Sequence, residues 1–496
     1  MLKSSVLKII QSFSPKEITE FSDFLKSPFF NKKSGVVKLY NEIKKYYPDF
    51  IDENLGNEQL WSKLYPGKKY GYGVMKNLIF ELKLLVEQFI SAHVYGKNNL
   101  HNSLNILKFY NERNLNSLLE TKFEQMKKQF DNDKRIVDSQ FSTTTEYLSN
   151  LSGMYHIKLW NSQFNDQHRS LDDVIEKYQL TFFTNFFIQL ISNGYFIYLL
   201  SFNDKSNDGD RNLITKFFEC IPEKIMFEIL EKLKSESNVK FSLLCCYYLA
   251  HKATVNPGDA SHFRKFKEFL KSNFKFLPAS SIIDMDALRI NTISLNTDPS
   301  MNRQDEMLEA FDFKLMNNII LDRNGLINGG LFLTWVTYFF SKNKCNELDE
   351  FIHTFGKFVD DDEKVSAIEF AKAVSLLLKS RFDESISVIT KTKFNNLMLK
   401  NSLKKMHMIV CYEKNDFEMF YSSLDAYKHF LSYFKMNIPD QKIFIERSRK
   451  FCMNIDKLFK IRENKKISEI NYFRAGLNNI DLKPWFERKI AELVDD

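Results

Sequence analysis

The chain has 496 residues, room for roughly three domains of about 150 residues or for one long array. Its 15 glycines and 10 prolines make up about 5% of it, against about 12% in an average protein, too few to punctuate a fold of many short strands. Seventy lysines and arginines against 63 acidic residues leave a net charge of +7, milder than a strong nucleic-acid binder carries; residues 1–95 and 433–496 each hold fourteen basic and ten acidic side chains.

With 44% hydrophobic residues and 48 phenylalanines, the chain reads as all-α with a large core. The N-terminal Met1–Ile10 has lysines inside its apolar run, so no secretory signal is expected. Six cysteines without a CxxC pair read as reduced core thiols, and a cytoplasmic location is the expectation.

Residues 1–95 read as a small helical bundle. Ser14-Pro15-Lys16-Glu17 is a capping box with proline at the first helical position, and Ile18, Phe21, Phe24 and Leu25 follow on one face until Ser27-Pro28. Further helices are expected over Val36–Tyr47, Glu58–Tyr65 and Tyr72 to about Tyr95, the last turning Met75, Leu78, Leu82, Leu85 and Phe89 inward. Gly67-Lys-Lys-Tyr-Gly71-Tyr-Gly73 matches no phosphate-loop pattern and reads as an interhelical loop.

Residues 96–330 read as a divergent array of helical hairpins with breaks near 150–153, 203–210, 256–259, 298–300 and 324–330. The most apolar window, Leu180–Leu200, is interrupted by Asn185, Gln189, Ser192 and Asn193, so a buried helix is expected there and no membrane span. Asp204, Ser206, Asp208 and Gly209 imitate half of a calcium loop, but Thr215 stands where the bidentate glutamate belongs and Arg211 where an apolar anchor does. Cys245, Cys246 and His251 lack zinc-ligand spacing, and no catalytic constellation is found. The chain is therefore expected to be non-enzymatic, without cofactor or metal.

Residues 331–432 carry an internal period: Leu348, Phe382 and Phe417 recur at intervals of 34 and 35 residues. This segment resembles divergent tetratricopeptide repeats, with Ala373 and Ser385 at the small positions, Leu376 and Ile389 at apolar ones, and Ser380 and Phe382 in the turn. In the next unit Met408 and Phe420 replace the small residues, and both units lack the consensus Trp and closing Pro. The resemblance implies an α-solenoid of helical hairpins after the N-terminal bundle, with residues 433–496 as capping helices. It also implies that Phe382→Ala or Phe417→Ala costs about 3–5 kcal/mol if both pack in the turn. Phe24–Asn31, Leu64–Gly67, Leu104–Tyr110 and Pro484–Leu493 further resemble an all-helical family of similar length from Bacteroidota and their relatives. That resemblance brings a fold but no activity.

Tetratricopeptide arrays bind partners through the first helix of each unit, and the resemblance places Ala367, Phe370, Val374 and Leu377, then Ser402, Lys405, Ile409 and Tyr412, on that concave face. Such an apolar groove must be filled, by this chain's own C-terminal helices or by a partner helix or peptide oriented by Lys405 and Tyr412. The expected function is a protein-interaction or scaffolding protein with an unknown protein partner. The alternative is nucleic-acid association through the basic N-terminal bundle or residues 442–466. There Phe444, Phe451, Ile455, Leu458 and Phe459 take the inner face, and Lys442, Arg449, Lys450, Lys457, Lys460 and Lys466 the outer, diluted by Glu446, Asp456 and Glu463. Asp360–Glu363 reads as an acidic helix start.

Overall fold

The computed structural model describes residues 5–50, 55–137, 144–163, 171–203, 213–322, 325–360, 364–437, 442–464, 469–477 and 480–495. Among them the fold is all-helical, with twenty-five α-helices; its β contact is an isolated parallel bridge between Ile327 and Val359. Among the described residues no helix is long and apolar enough to cross a membrane. The chain divides into two compact units, one of residues 1–130 and 153–169, the other of 131–152 and 170–496. The half-loop at 204–209 and the acidic residues 361–363 lie outside the described residues.

Unit 1 contains α1 (Ser5–Gln11), α2 (Pro15–Lys26), α3 (Ser34–Lys44), α4 (Asn57–Leu64), α5 (Tyr72–Lys97), α6 (Asn99–Glu112) and α7 (Asn116–Phe130). The capping box is formed as the sequence dictates: the Glu17 amide donates to Ser14 Oγ at 3.3 Å, and the Ser14 amide to Glu17 Oε2 at 2.8 Å. α1, α2 and α3 pack on α5 around a core that includes Phe21, Tyr40, Leu82 and Phe89. α1, which the sequence reading missed, contributes Val6, Leu7 and Ile10. The glycine loop serves packing: the Trp61 indole donates to Lys68 O at 3.0 Å, and a Cβ on Gly71 would meet that indole at 2.8 Å.

α8 (Asp133–Val137) opens unit 2, and α9 (Thr144–Gln163), which runs straight through the break expected at 150–153, has residues 144–152 in unit 2 and 153–163 in unit 1. Gly153 is there for close packing, since a Cβ would meet Leu104 at 3.3 Å. Unit 2 continues with α10 (Asp172–Asn203), α11 (Leu213–Glu219), α12 (Glu223–Glu236), α13 (Asn238–Val255), α14 (Ala260–Asn273), α15 (Ala279–Leu295) and α16 (Arg303–Met316). Helix α13 is apolar on all sides and is packed by α8, α10, α12, α14 and α15. Ion pairs of Lys267 with Glu306 and Glu309, of Arg289 with Glu309 and of Lys314 with Asp286 tie α14, α15 and α16. All six cysteines are free; Cys220 is exposed rather than a core thiol, while burial pushes Cys245 up to about 12.

Three helical hairpins follow: α17 (Gly329–Ser341) with α18 (Cys345–Phe355), α19 (Lys364–Leu378) with α20 (Phe382–Lys391), and α21 (Leu397–Lys414) with α22 (Phe417–Asn437). Their turns place Asn343, Ser380 and Asn415 in the left-handed region at φ 55°, 58° and 58°. The amides of Lys344 and Arg381 reach back to Phe339 O and Leu376 O at 2.9 Å, closing a Schellman turn with asparagine or serine where glycine is usual. Asn114 and Asn318 end α6 and α16 in the same way. Between α19 and α20, Ser385 Oγ donates to Ala373 O at 2.8 Å, so these small residues do bring the helices together. Phe382 and Phe417 both open the second helix of a hairpin, but only Phe382 packs into the core; Phe417 is 57% exposed, so the large cost expected for Phe417→Ala does not hold. The chain ends in α23 (Lys442–Glu463), α24 (Ile470–Ala475) and α25 (Lys483–Asp495).

Candidate functional site

The six residues expected on the concave face are all buried in unit 2: Phe370, Val374 and Leu377 on α19, and Lys405, Ile409 and Tyr412 on α21, as are Ala367 and, partly, Ser402. Of the two occupants the sequence left open, the C-terminal helices cover the α21 face. Trp485 on α25 meets Tyr412 edge to face at 5.2 Å and donates its indole N–H to Glu413 at 2.8 Å. The Arg462 guanidinium lies 3.9 Å from the Tyr412 ring centroid and donates to Tyr412 O at 2.8 Å. Lys405 pairs with Asp481, and Arg488 donates to Ser341 O at 2.7 Å, capping α17. On α19, Phe370 packs against Phe394, and α17 covers the same helix. These residues hold the chain together and present no surface to a partner.

Helix α10 behaves in the opposite way. Its inner side buries Leu180, Phe187, Ile188 and Ile191 in a core shared with α13. On its outer side Ile175, Tyr178, Phe182 and Phe186 recur at intervals of three and four, which places them in one row. Tyr178 meets Phe182 at 5.8 Å, Phe182 stacks on Phe186 at 6.4 Å, and Phe186 meets Phe217 of α11 edge-on at 6.2 Å. Phe182, Phe186 and Phe217 remain 43%, 40% and 50% exposed. At about 25 cal/mol per Å², each half-exposed ring leaves on the order of 1 kcal/mol of burial unrealised. Beside the row, Lys232 of α12 pairs with Glu176 at 3.0 Å, a polar edge to an apolar ridge.

The layer under the ridge is buried. His251 of α13 meets Phe218 edge to face at 4.6 Å, and burial, helped by Lys252, lowers its imidazole to about 4. The sequence reading treated this window as wholly buried. The signal it passed over is that Ile175, Tyr178, Phe182 and Phe186 extend the apolar face of Leu180, Phe183, Phe187, Ile188 and Ile191 around most of the helix, more apolar surface than one core face takes up.

The basic helix α23 buries Phe451, Ile455, Leu458 and Phe459 and exposes Arg449, Lys450 and Lys457. Lys460 is paired with Asp456, and Arg462 is drawn inward onto Tyr412. Lys466 and the Phe444 side chain lie outside what is described. Among the described residues no group of three or more His, Cys, Asp or Glu is placed to hold a metal ion. Compared with protein-family models, with curated proteins and with solved structures, the chain matches none.

Proposed function

We propose that this chain is a non-enzymatic protein-interaction or scaffolding protein, an N-terminal helical bundle followed by an α-solenoid of tetratricopeptide-like hairpins, and that it docks its partner on the α10–α11 ridge. The observation that carries the docking site is the row of half-exposed rings Tyr178, Phe182, Phe186 and Phe217. Aromatic rings supply large contact area at small entropic cost and are enriched at the centres of interfaces. The repeat reading is supported by the left-handed turns at Asn343, Ser380 and Asn415 and by the Ser385–Ala373 contact. The partner's matching surface is an apolar helix or peptide, now assigned to α10 and α11 rather than to the face of α19 and α21.

A photo-crosslinking residue at position 217, used in the cell of origin, tests this. One discrete crosslinked protein is expected, lost in Phe182→Asp/Phe186→Asp with helicity and melting temperature retained. Crosslinking that survives the double substitution would overturn the site. Salt-sensitive binding of DNA or RNA, lost on replacing Arg449, Lys450 and Lys457, would instead favour the nucleic-acid reading.

A further inference from the structure

Unit 2 contains a cavity of about 680 Å³ where the turn between α15 and α16 faces α21, α23 and residues 480–483. That volume falls in the range of small-molecule sites, about 300–1,000 Å³. Its charge is unbalanced. Arg303, Arg447, Lys405 and Lys483 line it against only Asp298 and Asp481. The two carboxylates are engaged: Asp481 by Lys405, Asp298 by the amides of Ala260 and Ser300, each at 2.8 Å. Lys483 lies 3.5 Å from Glu487. Among the described residues neither Arg303 nor Arg447 makes a salt bridge, although Arg447 lies near enough to Asp481 to help Lys405 hold that carboxyl below its usual range. Burial and the nearby charge of Arg447 both push the Arg303 guanidinium below its usual range, so two like charges face one space.

Two further features of the wall define the ligand. Ser294, Thr297, Thr337 and Ser341 line the wall, hydroxyls that can pair with those of a ligand. Met301, Met307 and Met406 supply an adaptable apolar side. Two guanidinia lining one cavity suit a dianion with several acceptor oxygens, and phosphate satisfies them better than a single carboxylate.

We propose that this cavity is a binding site for a hydroxylated organic phosphate of the size of a sugar or nucleoside monophosphate, its phosphate held between Arg303 and Arg447. The site is independent of the ridge on α10 and binds without chemistry.

Calorimetric titration of the full chain with AMP, ribose 5-phosphate and inorganic phosphate, with adenosine and ribose as uncharged controls, tests the assignment. One-to-one saturable binding of at least one organic phosphate is expected, absent for the uncharged controls. Arg303→Gln and Arg447→Gln should each weaken it tenfold or more, while Arg449→Gln, exposed on the same helix as Arg447, leaves it unchanged. Should a variant fail to fold, phenylglyoxal modification of the wild-type chain serves instead, and the bound probe should protect Arg303 and Arg447. No saturation at millimolar probe, equal loss in Arg449→Gln, or arginine modification unaffected by the probe would each overturn the proposal.

Discussion

Two helices of unit 2, α21 and α10, differ in what covers their apolar faces. Helix α21 reads as the lining of a groove that the chain's own C-terminal helices or a partner must fill, and its Lys405, Ile409 and Tyr412 are sealed by α23 and α25. Helix α10 reads as wholly buried, yet it carries Phe182 and Phe186 half in water. Periodicity shows that a helix has an apolar face. What covers that face depends on segments far along the chain: Trp485 lies 73 residues beyond Tyr412.

The largest test of this contrast is truncation. Tyr412→Ala removes a buried ring, an edge-on contact with Trp485 and the platform under Arg462, and should cost about 3–5 kcal/mol. Phe186→Ala, on a ring already half in solvent, should cost about 1 kcal/mol or less. Hydrogen exchange of the α21 and α10 amides, read by mass spectrometry in the full chain, reports each locally. Equal losses would break the distinction between a sealed face and an open one.

A second test uses pH and addresses the buried layer beneath the ridge. His251 titrates near 4 when folded and near 6.5 when unfolded. Between those values the unfolded chain binds a proton that the folded chain does not. Its contribution is therefore complete above about pH 6.5, shrinks as pH falls, and has lost about 3 kcal/mol by pH 4. His251→Leu removes the titration, and because Nδ1 has no hydrogen-bond partner, leucine should be tolerated at neutral pH. The difference between wild type and variant in urea unfolding, taken at pH 7 and pH 4, should change by about that amount. A difference that does not vary with pH would mean that water reaches His251, and with it the underside of the ridge.

Much of the fold was legible because its signals are local. The capping box at Ser14 and the stop at Ser27-Pro28 need only neighbouring residues, and each has its counterpart in the structure, whereas the 34-residue step from Leu348 to Phe382 does not: the hairpin turns at Asn343, Ser380 and Asn415 lie 37 and 35 residues apart. α1 escaped because seven residues are too short for periodicity to register, and Gly153 misled because a glycine that admits Leu104 looks in sequence like one that ends a helix. The ridge and the cavity were illegible for a different reason. Arg303 and Arg447 are 144 residues apart, and nothing in either neighbourhood indicates that they face one space.

The finest test concerns the turns that orient the sealed face. Glycine is scarce, and Ser380 and Asn415 hold the left-handed position in equivalent turns at φ 58°. The left-handed backbone costs an L-residue about 1–2 kcal/mol, less for asparagine, whose side chain hydrogen-bonds locally, while glycine bears no such steric cost. Glycine also enlarges the unfolded ensemble, which offsets about 0.4–1 kcal/mol of the gain. Ser380→Gly should therefore stabilise the α19–α20 hairpin by about 0.5 kcal/mol, and Asn415→Gly should leave the α21–α22 hairpin nearly unchanged. Thermal unfolding of the two variants side by side gives the ordering. A destabilised Ser380→Gly would mean that serine makes a side-chain contact that outweighs its backbone strain, and that the two turns are not equivalent.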